Sequence, residues 1–267
     1  MTANNLHRGL APISEAAWQE IEEEARRTFK ANIAGRRVVD MPEPAGTEFS
    51  ALTTGHVEGA TSGVDGVRAQ RRSSLPVIEL RTPFTVNRQD VDNVLRGATD
   101  SDWQPVKDAA ALIAQAEDRA IFHGVDSVGI QGIAPASSNS PIALPESVSD
   151  YPAAVAKAVS ELRLAGVAGP YSLLLSAELY TAVAETTDHG YPIYDHVERV
   201  LKDGHILWAP ALEGAVLISE RGGDYELHLG QDLSIGYLSH TADTVELYLQ
   251  ESLTFRVNTA EASVVIS

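Results

Sequence analysis

Between Pro42 and Ser74 the chain is built from Gly, Thr, Ser and charged residues with few large apolar side chains. This stretch limits the fold more than any other. Leu52–Glu58 and Val67–Arg72 read as two weak strands, separated by the turn-rich Gly59–Gly66. A two-stranded ribbon with so little apolar surface is not stable alone in water. It must lie on something else, and another subunit is one candidate.

The flanking segments have what the ribbon lacks. Trp18, Ile21, Ala25, Phe29 and Ile33 recur at spacings of three and four, which predicts a helix over 14–34 with one apolar face. Glu15, Glu20 and Glu22 to Glu24 crowd its first half, Arg26, Arg27 and Lys30 its second, an order that suits the helix dipole. Gly35 follows as a stop. Val38–Met41 reads as a short strand and Leu75–Val86 as a longer one. Asn87 caps a short helix that Gly97 ends. A helix over 105–123 carries Val106, Ala109, Ala110, Ile113, Ala116 and Ala120 inward.

The Gly/Ser/Pro-rich stretch 129–150 marks a subdomain boundary. Beyond it the pattern predicts a helix over 152–165, a buried strand Tyr171–Leu175, a helix Ala177–Glu185, a loop Thr186–Pro192 and a helix Tyr194–Leu201. Strands follow at His205–Trp208, Ala215–Ser219, Tyr225–Leu229, Ser234–Leu238, Val245–Leu249 and Thr254–Val257. No internal repeat is evident, and the fold class is mixed α+β.

Composition removes several function classes. The formal charge of −17 repels phosphate, so nucleic acid is not an expected partner. With no cysteine there are no disulfides, thiolate metal sites or cysteine nucleophiles. No apolar run approaches the roughly 20 residues of a membrane helix, and Met1–Leu10 lacks the apolar core of a signal peptide. A cytoplasmic protein is expected. There is no GxSxG, P-loop, GxGxxG after a strand, or HExxH. Glu185, Asp188, His189, Asp195 and His196 come nearest to a metal constellation, but Gly190 and Pro192 break any shared helix, so no metal is expected. Glu117 and Asp118 are adjacent on a helix and point apart, which reads as ordinary surface charge.

A series of short runs spans nearly the whole chain. They are Asn5-Leu6 through Leu10-Ala11-Pro12, Ala34-Gly35-Arg36-Arg37-Val38-Val39-Asp40, Glu79-Leu80-Arg81-Thr82-Pro83-Phe84-Thr85, Ser101-Asp102-Trp103, Gly169-Pro170-Tyr171-Ser172-Leu173-Leu174, Asp188-His189-Gly190-Tyr191-Pro192, and Gly222-Gly223-Asp224 with Gly230-Gln231-Asp232-Leu233-Ser234-Ile235-Gly236-Tyr237. In this order they resemble the encapsulin family, the linocin or Cfp-type bacterial shell proteins.

The resemblance implies a Hong Kong 97-type phage capsid fold and a structural subunit, not an enzyme. It divides the chain into a peripheral domain (1–48, 75–131 and 225–267), an extended loop (49–74) and an axial domain (132–224). It further implies a closed icosahedral homo-oligomer of about sixty copies. The shell would package cargo, a dye-decolourising peroxidase or a ferritin-like protein, through the cargo's C-terminal tail. By match, the tail's groove comprises Phe29, Ile33, Arg36, Asp40, Leu233, Ile235 and Tyr237. Phe29 and Ile33 also suit plain core, and Arg36 with Asp40 also suits a local ion pair. The loop of Asp188, His189, Gly190 and Tyr191 would line the five-fold pore. Some members hold a flavin against an aromatic residue after Thr85; Gln89 stands at that position here, so no cofactor is expected. Two competing readings are a phage-type major capsid protein and the bacteriocin whose label the linocins have carried. The charge of −17 fits a DNA-filled capsid poorly.

Overall fold

The computed structural model describes residues 5–267, so the first four residues of the segment read against a leader lie outside it. After helix α1 (Glu15–Asn32) come strands β1 (Ala51–Ala60), β2 (Ala69–Pro76) and β3 (Ile78–Asn87), then helices α2 (Arg88–Leu95) and α3 (Gln104–Phe122). The two-residue strands β4 (Gly124–Val125) and β5 (Ile130–Gln131) and the short helix α4 (Ile133–Ala136) lead to α5 (Tyr151–Leu164), β6 (Tyr171–Leu175) and α6 (Ala177–Glu185). A small hairpin of β7 (Thr187–Asp188) and β8 (Tyr191–Pro192) precedes α7 (Ile193–Leu201), β9 (Ile206–Trp208) and β10 (Ala215–Ser219). Strands β11 (Tyr225–Leu229), β12 (Ser234–His240), β13 (Thr244–Val257) and β14 (Ser263–Ile266) complete the chain.

The first sheet is organised around β13. On one side it pairs antiparallel with β3 from Thr244↔Asn87 to Leu253↔Ile78, and on the other with β12 and then β11. Val245–Leu249 and Thr254–Val257, expected as two strands, are one. The polar residues between them do not interrupt the ladder, because Gln250 and Glu251 are taken inside. One face of this sheet packs against α1 and α3, where Trp18, Ile21, Phe29, Ile113, Phe84, Leu247 and Leu249 form a core.

The second sheet runs β14-β10-β6-β9, with β6 and β9 parallel and the other pairs antiparallel. Against it lie α5 and α7, and β6 is buried throughout. Strand β14 was not anticipated. Strand pairing carries it to the second sheet, whereas the expected division kept 225–267 as one piece with the first. The C-terminal end of α3, at Ile121 and Phe122, belongs to the core of this second unit, so α3 runs from one core to the other.

Val38–Met41 forms no strand. Asp40 makes one parallel bridge with Glu226, its N–H donating to Tyr225 and its C=O accepting from Leu227, and Pro42 has no N–H with which to continue the ladder. The ribbon is a true hairpin, longer than expected: β1 and β2 pair from Ala51↔Pro76 to Ala60↔Ala69, with an irregularity between Thr53 and Val57. Gly55, at φ 78°, supplies the left-handed backbone there. No residue of either strand is buried, and Val57, Val64 and Val67 are each more than half exposed.

Candidate functional site

Ser14 caps α1 by accepting the Ala17 N–H, and the apolar stripe of the helix turns Ala25 and Phe29 toward β12. Between helix and strand lies a groove of about 390 Å³. Leu6, Ala25, Phe29, Leu233 and Ile235 make its apolar floor; Arg8, Glu22, Arg26, Arg36 and Asp232 stand at its edges. The N-terminal segment closes one end, where Leu6 C=O accepts the Tyr237 N–H at 2.8 Å and Arg8 stacks 4.1 Å over the Trp18 ring while pairing with Glu22.

Of the seven residues matched to a cargo groove, Phe29, Arg36, Leu233 and Ile235 line this cavity and Ile33, Asp40 and Tyr237 do not. Phe29, Ile33 and Ile235 are at most 7% exposed, so each is a core side chain first. Tyr237 is half-buried, with its hydroxyl against His240 Nδ1. Asp40 lies elsewhere: its carboxylate accepts the Gly223 N–H and lines a separate pocket of about 220 Å³ with Arg37, Ser219 and Asp224.

Arg36 and Asp40 are therefore not a pair. Arg36 sits in a tight 3₁₀ turn, Gly35–Arg37, directed toward α3 and β13. Its Nε and Nη2 donate to Glu117 at 2.7 and 2.6 Å, Nη1 to Asp232 at 2.8 Å and Nη2 to Glu251 at 3.1 Å. Its guanidinium also lies 4.7 Å from the Phe29 ring centroid.

Glu117 and Asp118 are not surface charges; both are fully buried. Glu117 falls four residues from Ile113 and from Ile121, and Asp118 four from Ala114 and from Phe122, so both carboxylates lie on buried stripes of α3. Ala116, expected inward, is only partly buried. Asp118 accepts the N–H groups of Ala34 and Gly35 at 2.9 and 2.8 Å, which fixes the turn carrying Arg36.

Burial pushes the Asp118 carboxyl up to about 7 against the pull of those two N–H donors. Burial, with Glu117 alongside, holds Glu251 well above the usual carboxylate range. Burial alone would lower Arg36, but Glu117, Asp232 and Glu251 outweigh it and raise its pKa. The spacing of Glu117 with Ile113 and Ile121 was a usable signal for this cluster, as was the place of Glu251 in the alternation Leu247, Leu249, Leu253.

The second expected site, Asp188 to Tyr191, is the turn of the β7–β8 hairpin. His189 at φ 47° and Gly190 at φ 87° give the left-handed pair that a two-residue hairpin turn requires. The His189 ring projects into solvent at 93% side-chain exposure, 3.7 Å from the Asp188 carboxylate, and Tyr191 is 60% exposed. Among the described residues no three His, Asp or Glu side chains gather as metal ligands, and no helix is long and apolar enough to cross a membrane. Gln89 lies in the first turn of α2, its amide bonded to Asn93 at 2.9 Å.

A family model described as "Encapsulating protein for peroxidase" matches residues 3–254. The chain belongs to the encapsulin shell family. It is 63% identical over 264 residues to the type 1 encapsulin shell protein of Brevibacterium linens, covering 99% of each chain. To that of Mycobacterium tuberculosis it is 55% identical over 264 residues, again covering 99% of each. Among solved structures, a virus-like particle from Pyrococcus furiosus superposes with a TM-score of 0.64 at 16% identity, over 93% of this chain and 98% of that one. The capsid of the myovirus XM1 gives 0.56 at 11%, over 86% and 89%. The fold of this encapsulin is thus the Hong Kong 97-like capsid fold, and the chain is the shell subunit of a capsid-like cage. Phage capsids share that fold at low identity, whereas the encapsulin match runs through almost the whole chain.

Proposed function

We propose that this subunit closes a cytoplasmic icosahedral shell of about sixty copies that holds a cargo enzyme and has no catalytic activity of its own. The peripheral part is residues 1–48, 75–131 and 225–267, with 263–266 returning to the axial sheet; the hairpin 49–74 lies across a neighbour; and 132–224 forms the axial part. The turn Asp188–Tyr191 lines the five-fold pore. The cargo is a dye-decolourising peroxidase ahead of a ferritin-like protein, a preference supported by the wording of the family description.

The groove beside α1 is the observation that carries cargo docking. It combines an apolar floor with charged edges and has room for a few side chains. Each apolar side chain fully buried there gains roughly 1.5–3 kcal/mol, against about 0.5–1.5 kcal/mol for ordering it. Many identical grooves facing one cavity multiply that affinity for an oligomeric cargo. The Tyr237 N–H on the outer edge of β12 is already taken by Leu6 C=O, and Ile235, two residues back, faces that same edge. An extended tail therefore adds to the strand at Ile235, beside the N-terminal segment and not in its place, while its side chains enter the groove.

The test is co-expression with a peroxidase carrying its C-terminal tail. Leu233→Asp, at a partly exposed floor position, is expected to give intact empty shells. Cargo retained at the wild-type level contradicts docking here. Ile235→Asp, at a 5% exposed position, is expected to fail in the subunit itself.

A further inference from the structure

Five charged side chains meet where α1 ends, between the two cores. They are Arg36 from the turn after α1, Glu117 and Asp118 from α3, Glu251 from β13 and Asp232 from the turn before β12. Glu117 and Glu251 are fully buried and Asp232 is half exposed. One guanidinium thus serves three carboxylates, two of them dry. Glu251 Oε2 accepts from Arg36, but Glu251 Oε1 is buried without a donor. A bare carboxylate oxygen in such a place is costly. A proton on Oε1, donated to Glu117, removes the defect and leaves Arg36 matched to one buried charge.

We propose that this seam is a proton-operated latch on the groove. With Glu251 protonated, Arg36 reaches from the buried pair out to Asp232 and holds the groove edge; with Glu251 ionised, Arg36 is drawn inward and lets Asp232 go. The outer contact is the one that yields, because Asp232 is half in water and the attraction between solvated charges is weak. Release reaches the groove directly. Asp232 Oδ1 also accepts the Leu233 N–H at 2.7 Å, and its C=O accepts the Ser234 hydroxyl at 2.6 Å, so that carboxylate sets the turn presenting Leu233.

The sense follows from the burial of Glu251: the latch is shut in acid and opens as pH rises through its raised pKa. Asp118, ionising at about 7, adds charge to the same seam and works in the same direction. Neither state requires a cargo; only the consequence for loading rests on the function proposed above.

The absence of cysteine makes the test clean. Infrared spectra of assembled shells at neutral pH are expected to show a carboxylic-acid carbonyl band in the wild type that Glu251→Gln weakens, the remainder belonging to Asp118. A single Leu233→Cys label reports the edge. Its rate with a small thiol reagent, taken relative to the same label in Glu251→Gln, is expected to rise several-fold from about pH 6 to about pH 9. An acid band equally strong in the two backgrounds, or identical labelling profiles, overturns the latch. Should Glu251→Gln fail to assemble, Asp232→Asn decides: it removes the charge that Arg36 pairs with, keeps an Oδ1 able to accept the Leu233 N–H, and is expected to label fast at every pH. Slow labelling that still depends on pH as in the wild type contradicts the proposal.

Discussion

Arg36 holds Glu117 through two parallel hydrogen bonds, Nε to Oε1 at 2.7 Å and Nη2 to Oε2 at 2.6 Å, and so ties the turn after α1 to the buried side of α3. Removing the guanidinium leaves buried carboxylates uncompensated. Arg36→Ala is expected to cost about 3–5 kcal/mol in denaturant unfolding. Arg36→Lys keeps the charge but loses the planar fork, and is expected to recover only part of that loss. A change within about 0.5 kcal/mol for Arg36→Ala would mean the fork contributes little.

Stability is expected to fall as pH rises. A carboxyl whose folded pKa is raised contributes stability fully present below its unfolded value, and this is lost as pH passes through the folded one. Asp118 goes from an ordinary 3.8 to about 7. Calorimetry is expected to show the melting temperature declining between about pH 4 and pH 7, with a flatter profile in Asp118→Asn, which cannot ionise. An unchanged slope in that variant would remove Asp118 from the account.

Gly236 lets the Tyr248 ring lie across β12. A Cβ at that position would stand 2.1 Å from Tyr248 Cζ, and the ring is held from the other side by Arg81, 4.3 Å from its centroid. Gly236→Ala is expected to destabilise by about 1–3 kcal/mol. In the double variant with Tyr248→Ala most of that penalty is expected to vanish. Additive losses would show that the two residues do not compete for space.

Asp188→Asn with His189→Gly changes one half-exposed and one fully exposed side chain at the tip of the β7–β8 hairpin, so shells are expected to assemble normally. Entry of a quenching divalent cation into shells carrying an internal fluorophore is expected to slow, because the acidic side chain is gone. Entry kinetics equal to wild type would place the turn away from the pore.

Much of the fold was legible because its periodicities are strong. The stripe Trp18, Ile21, Ala25, Phe29 marks α1, and the short apolar runs Leu173–Leu175 and Ala215–Ile218 mark β6 and β10. The buried carboxylates were missed because charge was weighed above position: Glu117, Asp118 and Glu251 sit in register with their apolar neighbours, and only a partner from a distant segment, Arg36, makes their burial tolerable. The same distance hid β14, whose pairing with β10 no local pattern announces. Arg36 and Asp40 have helical spacing in sequence, but the chain leaves the turn at Gly35–Arg37 without continuing as a helix, so they face different pockets.

No residue of the β1–β2 hairpin is fully buried within its own subunit, which makes the hairpin the element most dependent on a neighbour. Light scattering coupled to size-exclusion chromatography tests it in one comparison of the full chain with a variant lacking residues 52–72. The full chain is expected to elute as closed particles of about sixty subunits of 28.6 kDa, on the order of 1.7 MDa, and the shortened chain as a folded species of a few subunits at most. A full chain that stays monomeric, or a shortened chain that still closes normal shells, would contradict it.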